Sequence, residues 1–65
     1  MTRKDYEAIA EVIAHTVRQW DTETEGNTPR EVRQTIEEIT NGIAEVFDWD
    51  NPRFDAEKFY KACGL

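Results

Sequence analysis

The chain has 65 residues, with 8 Lys and Arg against 14 Asp and Glu, a net charge of −6, and 38 % hydrophobic residues. This is enough for one domain over 1–65, too rich in Ile, Val and aromatics for plain disorder, and without the run of ~20 apolar residues that a membrane span needs. The lone Cys63 excludes an internal disulfide framework and a multi-cysteine zinc site. The polar opening over 1–5 lacks a signal-peptide pattern, so a soluble, cytoplasmic protein without a membrane partner is expected.

The first segment opens with Thr2 three residues before Asp5, the spacing of a capping box with Asp in place of Glu. Apolar residues then recur at Tyr6, Ile9, Ile13, Val17 and Trp20, a helical period. The spacing predicts a helix over about 3–20, with Trp20 in the core and an apolar arc broad enough for two neighbours. The polar stretch over 21–27 reads as a loop of a length that joins antiparallel helices.

A second helix is expected over about 29–47, with Thr28 as N-cap, Pro29 at the first helical position and Glu31 closing a capping box. Val32, Ile36, Ile39, Ile43 and Val46 follow at intervals of 4, 3, 4 and 3, a heptad-like seam. Gly42 interrupts helix propensity without breaking the phase of that seam, which points to close approach of another backbone. The stretch over 48–53 reads as a turn because Pro52 biases Asn51 away from helical angles. Trp49 in that turn is expected to lie as a lid over one end of the bundle, with an exposed binding anchor as the other role.

A third helix is expected over about 56–63. Asp55 caps it, Phe54 and Phe59 staple it, and Gly64 takes the left-handed position after it with Leu65 packing back on Tyr60. The fold class is therefore all-α: a small bundle of two long antiparallel helices and a short C-terminal one.

The inventory for catalysis is thin: one His, one Cys and no Ser. His15 falls on the polar face one turn after Glu11 and reads as a solvated pair; Cys63 reads as a small buried hydrophobe rather than a thiolate. Asp48, Asp50, Asn51 and Asp55 fail as a calcium loop, because Arg53 stands where Gly is needed and Phe59 where a bidentate Glu is needed. No catalytic residue, metal or cofactor is expected. Arg30, Arg33 and Gln34 in the opening turns of the second helix are placed as recognition side chains can be, but the charge of −6 opposes direct DNA binding. The acidic surface could instead act as a decoy for a DNA-binding protein, although Arg18, Arg30 and Arg33 interrupt any clean negative stripe. The candidate partner-binding residues are Trp49, Arg30, Arg33 and Gln34.

Two stretches carry a resemblance. Thr2-Arg3-Lys4-Asp5-Tyr6 with Ile9-Ala10, and Asn51-Pro52-Arg53-Phe54-Asp55 with Phe59 and Ala62-Cys63-Gly64, resemble the ends of small uncharacterised proteins encoded by bacteriophages of actinobacteria. The middle of the chain has no distinctive counterpart. The resemblance implies a phage origin and action inside a bacterial host, and it carries over no catalytic or binding residue. The expected function is a non-enzymatic, acidic protein-interaction module. A homodimer is one form of it, using the Val32–Ile36–Ile39–Ile43–Val46 seam if that seam is not fully covered within the monomer, and a nucleic-acid-related regulator is the alternative.

Overall fold

The computed structural model describes residues 2–65, and its elements are α1 (Arg3–Glu23), α2 (Arg30–Asp50) and α3 (Ala56–Ala62). The start of α1 is fixed as its sequence predicts. Asp5 accepts hydrogen bonds from the Thr2 backbone N–H (2.9 Å) and hydroxyl (3.2 Å), and the capping box is complete. The backbone bond, and after it the hydroxyl bond, holds the Asp5 carboxyl below its ordinary value.

Both long helices run beyond their expected ends. α1 continues to Glu23, and the chain turns through Glu25 (φ 53°) and Gly26 (φ 85°). α2 begins at Arg30, not at Pro29, whose ψ of 140° is extended, and Thr28 is not its cap. The Thr28 hydroxyl instead donates to Asp21 Oδ1 (2.6 Å) and lies 3.3 Å from the Thr24 hydroxyl, tying the loop to the last turn of α1. At the far end α2 keeps its ladder through Asp50. Its stop is set by Asn51, which is extended before Pro52 and whose Oδ1 accepts from the Arg53 N–H at 3.0 Å.

α3 follows its predicted ends closely. Asp55 accepts from the Lys58 N–H (3.2 Å), and the Phe54 and Phe59 rings meet at 5.6 Å. Gly64 (φ 81°) and Leu65 close a Schellman motif, with N–H bonds of 3.1 Å to the carbonyls of Lys61 and Tyr60.

The chain doubles back so that Tyr6, near the start of α1, meets Phe47, near the end of α2, at a ring separation of 4.7 Å. Phe47 is the hub of the core, with Phe54 at 5.4 Å and Phe59 at 5.3 Å in edge-on contact. Around it pack Ala10, Ala44 and the fully buried Cys63, while Ala14, Val17 and Thr40 are buried further along the helices. Thr40 is tolerated inside because its hydroxyl donates to the Ile36 carbonyl at 2.7 Å.

The buried side of α2 is therefore Thr40, Ala44 and Phe47, and the β-branched seam is rotated toward its edge. Val32, Ile36 and Ile43 are half-buried, whereas Ile39 is 57 % and Val46 64 % exposed. Small residues win the inner side because Ala44 leaves room for Phe59 and Cys63, and larger side chains there would overpack a thin core. Trp20 also lies outside the core, at 36 % exposure.

Candidate functional site

The largest exposed side chain is Trp49, 94 % accessible on the last turn of α2. It is not a lid: the extension of α2 to Asp50 puts it about 160° around the helix from Phe47, facing away from the aromatic core. Ile39 and Val46 lie on the same outer side. Val46 is about 160° from Ala44, which packs with Phe59 and Cys63, so this side is turned away from α3. On α1 the exposed Val12 stands in the same relation to Ala10.

Gly42 sits between Ile39 and Val46 on the outer side. A Cβ built there would meet nothing within 4 Å, so no backbone of this chain approaches it, contrary to the expectation from sequence. Its lack of a side chain leaves a shallow place in the helix surface, on the same line as Trp49 two turns further on.

The structure separates Arg30, Arg33 and Gln34 from Trp49. They occupy the first two turns of α2, and Arg30 lies ~28 Å from Trp49 along the helix at ~1.5 Å per residue. Arg33 pairs with Glu37 (3.7 Å), and Gln34 reaches Glu38 (3.5 Å), both within their own helix. Salt bridges as exposed as these contribute little to stability. Ile39 and Val46 belong to the seam that the sequence offers as a docking surface if it is left uncovered, and the structure exposes these two; the seven-residue spacing shared with Val32 keeps them on one line whatever that line faces.

The single Cys and the single His lie in different environments. Cys63 is fully buried, and burial pushes its thiol above the ordinary value. His15 is exposed on α1, and its expected neighbour Glu11 instead accepts from Arg18 at 2.7 Å. Among the described residues no group of three or more His, Cys, Asp or Glu is placed to hold a metal.

A cleft of about 340 Å³ lies between α1 and α3, lined among others by Arg3, Glu7, Arg53, Asp55 and Lys58. Three of its charged groups are already engaged, since Arg3 pairs with Glu7 (3.3 Å) and Asp55 caps α3. No helix among the described residues is long and apolar enough to cross a membrane. The chain matches no family model, no curated protein and no solved structure.

Proposed function

We propose that this chain is a protein-interaction module without catalysis of its own, and that it docks its partner on the outer side of α2. The observation that carries this reading is the uncovered apolar group Ile39, Val46 and Trp49, which the fold exposes on the side turned away from α3. Apolar side chains exposed together on one helix are a common mark of a binding surface, and Trp is enriched where interface energy concentrates. The burial of the Cys63 thiol and the exposure of His15 on a polar face support a reading without a catalytic step. The resemblance of both ends to small actinobacteriophage proteins supports a partner met in the cytoplasm of an infected bacterium.

The test is position-specific photo-crosslinking. A crosslinking amino acid at Val46 captures a discrete protein partner, and the same amino acid at His15, on a polar face, does not. Identical products from both positions contradict the reading.

A further inference from the structure

Residues seven apart on a helix fall within ~20° of one line, so the outer side of α2 carries parallel rows. Val32, Ile39 and Val46 form the first, Thr35, Gly42 and Trp49 the second, and Glu31, Glu38 and Glu45 the third. The middle row is low: Gly42 has no side chain, and Thr35 turns its hydroxyl back onto the Glu31 carbonyl at 2.8 Å. The outer row is entirely carboxylate. Ion pairs among the described residues use Glu7, Glu11 and Glu37, and none involves Glu31, Glu38 or Glu45.

We propose that the partner segment is an amphipathic helix whose apolar stripe is flanked by Lys or Arg. This rests on the reading of α2 as the docking side and adds the chemistry of what docks there. The partner's apolar stripe covers Ile39 and Val46. A basic side chain crosses at Gly42, where its aliphatic stem lies along the two β-branched residues and its charged end reaches Glu38 and Glu45. The exposed indole of Trp49 offers a π-face to a guanidinium at the end of the row. The three rows run from Glu31 to Trp49, ~27 Å at ~1.5 Å per residue, enough for about five turns of a partner helix.

Charge selects this occupant over the others. A second copy also carries −6, and antiparallel pairing of α2 with itself sets the Glu31–Glu38–Glu45 row against its own copy. An anionic membrane surface repels the same row.

The probes are three synthetic helical peptides with one apolar heptad pattern, flanked by Lys, by Gln or by Glu. They are titrated into the full chain carrying Trp20→Phe, so that Trp49 alone reports by fluorescence. The Lys-flanked peptide is expected to shift Trp49 emission to the blue and to bind at least about tenfold more tightly than the Gln-flanked one, an advantage that shrinks in high salt. Glu38→Gln with Glu45→Gln is expected to remove the preference and leave the Gln-flanked peptide's affinity unchanged. Gly42→Leu, which has open space for its side chain, is expected to weaken both peptides while far-UV circular dichroism stays native.

Equal affinity for all three peptides overturns the basic partner and leaves the docking side standing. A Trp49 shift with anionic phospholipid vesicles, or a mass that rises with concentration, in the absence of peptide binding, overturns the proposal in favour of a membrane or a second copy. A monomer that binds none of the probes overturns both the proposal and the reading beneath it.

Discussion

The Tyr6 hydroxyl is buried and has no hydrogen-bond partner among the described residues, while its ring packs on Phe47 and Phe54 (5.1 Å to the latter). An orphaned hydroxyl in such a place costs stability that a plain ring does not. Tyr6→Phe is therefore expected to raise the free energy of unfolding by about 1 kcal/mol in a denaturant titration; a loss of that size means the hydroxyl has a partner. Cys63 makes a prediction of the opposite kind. Its folded thiol sits above the ordinary value of 9.0 because burial penalises the thiolate. A raised folded value means that the thiol's contribution is complete below the unfolded value and is lost as pH rises through the folded one. The melting temperature should therefore fall more steeply above about pH 9 in the native chain than in Cys63→Ala, and parallel curves would show no linkage to this thiol. Native Cys63 should likewise resist alkylation until the chain unfolds.

At the scale of the element, local chemistry decides helix ends and tertiary contacts decide helix faces. The Thr2–Asp5 box, the Asp55 cap, the Phe54–Phe59 staple and the Gly64 closure were all legible in the sequence, because each is satisfied within four or five residues. The start of α2 was not. Thr28 has the residue type and position of a cap, yet its hydroxyl is drawn to Asp21, seven residues back, a contact that exists only once the loop has folded. Thr28→Ala is expected to cost about 1 kcal/mol through that lost bond, with Thr28→Ser retaining most of it. Asp21→Ala should cost a similar amount, and the double variant little more than either single one. Full additivity of the two would show that Thr28 acts elsewhere. The orientation of α2 was harder to read for a different reason. Its wheel carries two overlapping arcs, one of Ile and Val and one of Thr40, Ala44 and Phe47, and apolarity alone favours the first. What selects the second is the fit of α3 against small residues, which no window on α2 contains. Trp49 was misplaced in the same way: ending the helix at Phe47 made it a turn residue, and three further residues of helix turn it outward.

At the scale of the molecule, a 65-residue chain has little apolar surface to place, and among the described residues five large apolar side chains are left substantially exposed: Val12, Trp20, Ile39, Val46 and Trp49. The core is built instead from an aromatic cluster around Phe47 and from alanines that let the helices meet. Fold class and element order were legible from periodicity, and the Val32–Val46 seam was legible as a surface for docking if left uncovered, whereas which of its residues lie outside was not, because they have the composition of a core. The central claim is that Ile39 belongs to the outside of α2 and Ala44 to the inside. Thermal unfolding of Ile39→Asp beside Ala44→Asp, followed by far-UV circular dichroism, tests it most directly. Ile39→Asp is expected to keep its helical signal and to melt within roughly 8 °C of the native chain, a shift of about 1 kcal/mol for a domain this size, while Ala44→Asp, with a carboxylate against Phe59 and Cys63, is expected to fail to fold. An unfolded Ile39→Asp together with a stable Ala44→Asp would contradict it.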